Sequence, residues 1–312
     1  MKILVTGATG FVGGALVRRL VSDNSNEIIA AVREPNENLE KIAKCVKVSD
    51  LAIDTNWHEA LAGVNVVINA AARVHIMRET ATDALDEFRK TNVQGTLNLA
   101  KQAASAGVRR FIFISSIKAN GETTEVEKPF TAADVTAPLD AYGISKMEAE
   151  RGLHKIAQET GMELVIIRPP LIYGYGVKGN FATLVKLVKL GLPLPFGSLN
   201  NKRSLVGIDN LVDLITVCIN HENAKNQIFL VSDDEDLSTT QLIRKIGEAL
   251  GKPAMLIPFP VFVIKLLLQL AGKSEISQRM CSSLQIDISK TKQLLNWKPA
   301  LNVDVGLRKA VK

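Results

Sequence analysis

The sequence has few cysteines, and its three, Cys45, Cys218 and Cys281, are widely spaced with no C-x-x-C pair. An odd number of isolated cysteines argues against a disulfide framework, and we expect free thiols in a reducing cytoplasm. The chain also lacks any run of five or more basic residues, although its formal net charge is +6. This pattern disfavours binding to nucleic acid and suits an enzyme of anionic small molecules. No metal site is predicted.

The sequence also has no sustained repeat, heptad pattern or low-complexity tract. Its first residues, MKILVTGATG, form a strand pattern at once and leave no room for a signal peptide. One apolar run, residues 254–272, is long enough to span a bilayer, but Pro258, Pro260 and Lys265 interrupt it. We interpret it as a buried or amphipathic helix starting near Pro260, with peripheral membrane contact as the alternative. We expect a cytoplasmic protein with no transmembrane segment.

Short apolar runs alternate with helical patterns through the first half of the chain. The runs at 2–7, 27–33, 64–72, 109–116 and 163–170 show no alternation with polar residues. Strands of this kind are covered on both faces, which indicates parallel strands joined by helices. The sequence therefore predicts an α/β fold built on a Rossmann-type, doubly wound parallel sheet.

The pattern changes in the second half, which indicates a second unit. We predict a dinucleotide-binding Rossmann domain over residues 1–170 and a smaller C-terminal substrate-binding lobe over 171–203 and 223–312. Residues 204–222 read as a strand and a helix that return to the Rossmann domain.

Three glycines, Gly7, Gly10 and Gly13, lie between the first strand and the first helix. Glycine there lets the backbone turn tightly and approach a pyrophosphate, whose charge then sits at the helix N-terminus. The pattern alone would be weak evidence, but here it lies in the first strand–helix unit, the context that supports it. It predicts a dinucleotide site.

Tyr142 and Lys146 lie four residues apart in the helical stretch YGISKMEAE and therefore share a face. A free tyrosine, with a pKa of about 10, is a poor base at neutral pH. A lysine ammonium one turn away and an oxidised nicotinamide both favour the phenolate and lower that pKa. The pair therefore indicates proton transfer coupled to hydride transfer.

These two motifs, G-x-x-G-x-x-G and Y-x-x-x-K followed by Ala-Glu, resemble those of the extended short-chain dehydrogenases/reductases of the NAD-dependent epimerase/dehydratase family. The resemblance covers essentially the whole chain, including TNVQGT (91–96), RPPLIYG (168–174) and DISKTKQLLNWKP (287–299). Within the family the chain looks most like UDP-sugar 4-epimerases and 4-reductases. The stretch SSIKANGE (115–122) resembles the subgroup that acts on UDP-N-acetylhexosamines.

The resemblance implies a catalytic set. Tyr142 would be the acid/base, Lys146 would also hold the nicotinamide ribose, and Ser116 would bind the reacting hydroxyl, with Ser115 as the alternative. Asn92 resembles an asparagine that supports the lysine through water, although an ordinary polar helix position is the alternative.

The resemblance also implies where the cofactor binds. The residues are Gly7, Thr9, Gly10, Phe11, Val12, Gly13, Arg33, Asp50, Leu51, Ala70, Ala71, Tyr142, Lys146 and Pro169, with Asp50 and Leu51 as adenine contacts. Arg33 stands where NAD-type relatives carry an acidic residue, and arginine there accommodates a 2′-phosphate. We therefore expect NADP(H), with NAD(H) as the alternative because Glu34 could rotate into the site.

A UDP-sugar substrate is implied as well. Arg203 matches an arginine that binds the diphosphate, a role that suits its planar fork, and Asn180 an asparagine that contacts the diphosphate or sugar. Lys118 and Asn120 are candidates to contact the sugar. His75 is a candidate substrate contact, with a structural histidine as the alternative.

The expected function is oxidoreduction at C4 of a UDP-sugar by a UDP-N-acetylhexosamine 4-reductase/dehydrogenase in surface-polysaccharide precursor synthesis. The alternative is a UDP-glucose or UDP-N-acetylglucosamine 4-epimerase with tightly held NAD. A 4,6-dehydratase is disfavoured because Ile117 and Lys118 stand where those relatives carry an acidic pair. A non-enzymatic scaffold is disfavoured because Tyr142 and Lys146 are both present. The resemblance also implies a possible homodimer.

Overall fold

A computed structural model describes residues 1–23, 25–74, 84–270, 272 and 274–312. The strands are β1 (Lys2–Thr6), β2 (Glu27–Val32), β3 (Lys44–Lys47), β4 (Val66–Asn69), β5 (Arg110–Ile114), β6 (Glu163–Arg168), β7 (Leu171–Tyr173), β8 (Leu205–Gly207) and β9 (Gln227–Leu230). The α-helices are α1 (Phe11–Ser22), α2 (Glu37–Glu40), α3 (His58–Leu61), α4 (Ala84–Phe88), α5 (Thr96–Ser105), α6 (Ala141–Thr160), α7 (Asn180–Lys189), α8 (Ile208–Asn220), α9 (Thr239–Ala249), α10 (Val261–Leu270), α11 (Ser274–Cys281), α12 (Ser289–Leu295) and α13 (Val303–Ala310). A π-helical segment, Arg89–Gly95, precedes α5, and 3₁₀ helices span Ile117–Ala119 and Glu222–Ala224.

The main sheet runs in the order β3-β2-β1-β4-β5-β6-β9, and each neighbouring pair is parallel. The strand order reverses between β1 and β4, so the connections that follow these two strands leave toward opposite faces of the sheet. Ligands of such sheets bind in the crevice that this reversal opens at the carboxyl ends of the strands. The predicted doubly wound α/β fold is confirmed.

The central strands are apolar throughout because both faces of the sheet are covered. On β1, Ile3 and Val5 contribute to the cluster on the side of α1 and α8, whereas Leu4 contributes to the cluster on the side of α5 and α6. All three side chains are fully buried. Burial on both faces holds the strands in place. The candidate site lies at their carboxyl ends.

Two strands pair differently from the sequence-based expectation. β9 pairs with β6 as the edge of the main sheet, although it falls within residues 223–312, which we assigned to the smaller lobe. β8 pairs with β7 in a separate two-stranded sheet, and only α8 returns, to pack beside α1. The composition of a short apolar strand does not indicate which strand it pairs with, so the sequence could not assign β8 and β9 to one sheet or the other.

The lobe has its own apolar cluster, which is fastened to the strands leaving the Rossmann sheet. Tyr173 on β7 stacks on Phe181 with ring centroids 5.5 Å apart. Its hydroxyl donates to the Asp233 carboxylate at 2.6 Å, and this carboxylate also accepts from the Gly207 amide at 2.9 Å. Asp233 follows β9, so one buried acid ties both sheets together.

The long apolar run forms a helix, α10, only from Val261, as the prediction of a start near Pro260 requires. Within the described residues, no helix is both long enough and apolar enough to cross a membrane.

A buried ion pair links α6 to the end of β6. The Arg168 guanidinium donates to both carboxylate oxygens of Glu150, at 2.9 and 2.5 Å, and both side chains are less than 5% exposed. Arg168 also donates to Asn120 at 2.9 Å, and the Ser115 hydroxyl donates to Glu150. A buried pair of this kind is tolerated only when its remaining donors and acceptors are satisfied, as they are here.

Replacing Arg168 with leucine is expected to lower the free energy of unfolding by about 3–5 kcal/mol, because Glu150 is left charged and unpaired in the core. The double variant Glu150→Met/Arg168→Leu should recover part of that loss. Urea unfolding of the three proteins measures the difference. A double variant less stable than the single one would show that the other hydrogen bonds, and not the unpaired charge, set the cost.

Candidate active site

The loop between β1 and α1 brings backbone close to the end of β4. Gly7 has a φ of +66°, and a Cβ there would lie 2.8 Å from the Ala71 amide nitrogen. A Cβ on Gly13 would lie 2.2 Å from the Gly7 carbonyl oxygen. Gly10, the N-cap of α1, is exposed and has no side chain with which to cap the first amides of the helix. This geometry fits a dinucleotide pyrophosphate.

A surface cavity of about 770 Å³ lies at the carboxyl ends of β2 and β3, and its lining includes Thr9, Arg33 and Asp50. The Arg33 guanidinium donates to the Asp50 carboxylate at 2.9 Å, and both side chains are exposed. Glu34 lies 3.8 Å from the Lys47 ammonium at the same cavity. Arg33 is therefore already paired with an acid seventeen residues further along the chain.

The other predicted cofactor residues lie along the same edge of the sheet. Ala70 and Ala71 follow β4, and the Pro169 carbonyl accepts from the Ile117 amide at 3.0 Å just beyond β5 and β6. The parallel strands place all of them at their carboxyl ends.

Tyr142 and Lys146 lie on the first turns of α6 and face the end of β5. The Lys146 ammonium donates to the Ile114 carbonyl at 2.9 Å and lies 5.9 Å from the centroid of the Tyr142 ring. Tyr142 packs edge-on against Phe88, with centroids 5.9 Å apart, and hydrogen-bonds with the Ser116 hydroxyl. The structure thus brings together the three residues of the predicted catalytic set.

The electrostatics of this set differ from the expectation. Burial raises the pKa of Tyr142, the negative charge of Asp140 raises it further, and only the hydrogen bond with Ser116 lowers it. Burial lowers the pKa of Lys146 to about 7, opposed by the nearby Glu150 carboxylate. Burial therefore acts against the charged form of both residues: it disfavours the Tyr142 phenolate and the Lys146 ammonium.

The alternatives left open at this site separate clearly. Ser115 is 3% exposed and its hydroxyl is bonded to Glu150 in the core, so Ser116 is the serine that faces Tyr142. The Asn92 side chain donates to the Ser145 hydroxyl at 3.0 Å and accepts from the Arg73 amide at 2.8 Å. Asn92 thus holds α6 at the turn between Tyr142 and Lys146.

Asn120, a predicted substrate contact, lies in the core. Asn120 is 1% exposed and its amide donates to the Thr131 carbonyl at 3.1 Å and accepts from Arg168. It supports the core and does not face the cleft. Lys118 lies closer to the site, but its ammonium is paired with the carboxylates of Asp140 and Glu122.

Asp140 was not predicted, although its position immediately before a helical pattern is an N-cap signal. Its carboxylate accepts from the Gly143 amide at 2.7 Å and from Lys118. It caps the helix that carries Tyr142 and adds negative charge beside that tyrosine.

Arg203 and Asn180 line one cavity of about 520 Å³ in the lobe, whose other walls are mostly apolar. Arg203 also lines a smaller cavity of about 140 Å³ together with Lys118 and Asp140. Its guanidinium donates to the Ser282 carbonyl at 3.1 Å. Arg203 therefore lies between the lobe cavity and the start of α6. His75 falls outside the described residues.

Comparison with known proteins accounts for this arrangement. The model of the NAD dependent epimerase/dehydratase family matches residues 3–232. The chain belongs to this family. It is 48% identical to a UDP-glucose 4-epimerase of Vibrio cholerae over 98% of its own length and 93% of that relative. It is 26% identical, over 93% of its length and 88% of the relative, to an N-acetyl-alpha-D-glucosaminyl-diphospho-ditrans,octacis-undecaprenol 4-epimerase of Escherichia coli O157:H7.

Solved structures of this family share the fold over the whole chain. A UDP-glucose 4-epimerase of Thermotoga maritima with UDP-glucose gives a TM-score of 0.78 at 24% identity, covering 100% of this chain and 97% of that one. A UDP-glucuronic acid 4-epimerase of Bacillus cereus in complex with NAD gives a TM-score of 0.79 at 20% identity, with the same coverage. The protein is thus an enzyme of the NAD-dependent epimerase/dehydratase family.

The burial of Lys146 makes a prediction about stability and pH. Its folded-state pKa of about 7 lies below the ordinary value of 10.5, so between these values the unfolded chain holds a proton that the folded one has released. The free energy of unfolding should therefore rise with pH in this window, by at most about 1.4 kcal/mol per unit.

The rise is measured by urea unfolding of the wild type and of Lys146→Met between pH 7 and pH 9.5, a range of about 2.5 units inside that window. The quantity compared is the difference between their free energies of unfolding at each pH. The difference between the two proteins should grow in favour of the wild type as pH increases. A constant difference would mean that Lys146 stays charged when buried.

Proposed function

We propose that this enzyme is a UDP-sugar 4-epimerase that holds NAD tightly and acts on UDP-glucose or UDP-N-acetylglucosamine. The supporting observation is that Tyr142, Lys146 and Ser116 meet at the end of β5 in a chain 48% identical to a UDP-glucose 4-epimerase. The relatives support this alternative better than the 4-reductase/dehydrogenase that we expected from the sequence. The resemblance of SSIKANGE to the subgroup that acts on UDP-N-acetylhexosamines favoured the reductase, and it is outweighed by similarity over 98% of the chain.

The residues of the cleft fit NAD. The pyrophosphate would lie against Gly7, Gly10 and the first amides of α1, and Lys146 would hold the nicotinamide ribose. When bound, NAD would supply the acceptor for a hydride from the sugar ring and the donor for its return. The lack of a side-chain cap at the start of α1 and the close approach of Gly7 to Ala71 support this placement.

Tyr142 would take the proton of the C4 hydroxyl while the C4 hydrogen leaves as hydride, and it would return that proton after the 4-keto sugar has turned its other face. Ser116, already hydrogen-bonded with Tyr142, would hold the reacting oxygen. Because burial raises the pKa of Tyr142, loss of its proton requires positive charge close by. The Lys146 ammonium supplies part of that charge, helped by Glu150, which favours its protonated form.

Arg203 and Asn180 would hold the nucleotide diphosphate. Both line the lobe cavity, and Arg203 also reaches the small cavity beside α6. An arginine fork matches phosphate oxygens in pairs, which would fix the sugar in front of Tyr142.

The pairing of Arg33 supports NAD over the NADP(H) that we expected. The Arg33 guanidinium is bonded to Asp50 at 2.9 Å, so a 2′-phosphate would have to displace a carboxylate and would meet its negative charge. A free ribose hydroxyl has no such conflict. Arg33 by itself thus favours binding of a 2′-phosphate, whereas the Asp50 carboxylate disfavours it.

Replacing Asp50 with asparagine is expected to shift the ratio of NADP to NAD affinity toward NADP by about tenfold, because Arg33 is released and a repulsive charge is removed. Arg33→Ala should shift the same ratio the other way. Binding titrations of the cofactor-stripped proteins measure both ratios. Loss of an adenine contact would weaken NAD and NADP equally and would leave each ratio unchanged. An unchanged ratio in Asp50→Asn would contradict the role given to this pair.

The function is tested by incubating the purified enzyme with UDP-glucose and with UDP-N-acetylglucosamine, without added reductant, and following inversion at C4 by NMR. Tyr142→Phe should lower the rate by about 100-fold or more, because the general acid/base is lost. Tyr175→Phe is the matched control, since Tyr175 is 74% exposed. If neither sugar is inverted but a UDP-4-keto sugar is reduced at the expense of NADPH, the enzyme is a 4-reductase.

A further inference from the structure

The lobe exposes an unusual amount of apolar surface around the cavity that Arg203 and Asn180 line. Eight of the seventeen exposed large apolar side chains among the described residues belong to two segments of the lobe. We call them the apolar face: Leu190, Leu192, Met255, Ile257, Phe262, Leu266, Leu267 and Leu270. Scattered single apolar residues are normal on a surface, whereas a cluster of this size marks an interaction site.

These residues come together for two structural reasons. On α10, Phe262, Leu266 and Leu270 recur every four residues and so share one side of the helix, with exposures of 72%, 50% and 76%. The segment around Leu194 runs beside Leu256, with the Leu194 amide bonded to the Met255 carbonyl at 2.8 Å. That pairing puts the two segments side by side.

The apolar face continues into the lobe cavity. Ile264 is 5% exposed and Leu267 is 56% exposed, yet both line the cavity with Phe259. The buried side of α10 therefore forms a wall of the cavity, and Leu267 marks the point where that wall reaches the surface.

The two segments that carry this face contain formal charges of one sign. Residues 169–208 and 249–274, which contain all eight members, include no aspartate or glutamate and eight lysines and arginines. Of these, six are exposed: Lys178, Lys186, Lys189, Lys202, Lys252 and Lys265. An amphipathic helix with exposed aromatic and leucine side chains and a basic surround is the pattern that binds an anionic lipid interface.

We propose that the apolar face docks on the surface of an anionic lipid bilayer, with α10 lying in the interface. A second copy of this chain fits less well, because two acid-free, basic surfaces would repel one another. A helix of ten residues is too short to cross the bilayer, so the contact is peripheral.

The test is sedimentation of the full-length protein with lipid vesicles. Wild type should bind vesicles containing phosphatidylglycerol about tenfold more tightly than vesicles of phosphatidylcholine alone, and salt should weaken that binding. The variant Phe262→Ser/Leu266→Ser/Leu270→Ser should lose about tenfold or more of it, because apolar insertion is lost. Its matched control is Ile42→Ser/Val126→Ser/Val135→Ser, three exposed residues elsewhere, which should bind as the wild type does.

A second variant, Lys186→Gln/Lys265→Gln, leaves the apolar residues in place and should bind phosphatidylglycerol vesicles more weakly while keeping its affinity for neutral ones. Failure of the wild type to bind anionic vesicles would overturn the proposal. So would equal binding by the wild type and both variants. A dimer that the triple serine variant dissociates, with no vesicle binding, would assign the face to a second copy.

Discussion

A buried carboxylate, Glu150, joins the helix that carries Tyr142 and Lys146 to the edge of the sheet. It lies one turn beyond Lys146 on α6 and is held by Arg168 from the end of β6 and by Ser115 from the end of β5. Together with the hydrogen bond from Lys146 to the Ile114 carbonyl, this pair sets the rotation of the helix against the strands. The same carboxylate raises the pKa of Lys146 against the effect of burial. Position and charge of the candidate site therefore depend on one acid that does not face the cleft.

Features with a local cause were predictable from the sequence. The glycine loop, the parallel strands and the Tyr142–Lys146 spacing each follow from residues a few positions apart. The role of Asn120 was wrong because its partners, Arg168 and Thr131, meet it only in the fold. The pairing of β8 and β9 was missed for the same reason, since strand partners are non-local.

The electrostatics could not be predicted from spacing either. Lys146 was expected to lower the pKa of Tyr142, but the fold buries the lysine almost completely and places Asp140 near the phenol. In the same way, the position of Arg33 after the second strand indicates NADP. The carboxylate that pairs with it, Asp50, follows the end of another strand. For Arg33, the nearest charge in space is not the nearest in sequence. For Tyr142, the charge that raises its pKa lies only two residues away, and what spacing does not show is the burial of the phenol and of Lys146.

The position of β9 at the edge of the main sheet limits how the chain can be divided. A fragment ending at residue 170 would contain the glycine loop, Tyr142 and Lys146, yet it would leave the backbone edge of β6 without its partner. It would also lack α8, whose side chains cover the sheet beside α1. An uncovered, apolar strand edge is a template for pairing with other chains. The half of the molecule that carries the chemistry therefore lacks part of its own sheet, and the chain must be synthesised through β9 before that sheet is complete.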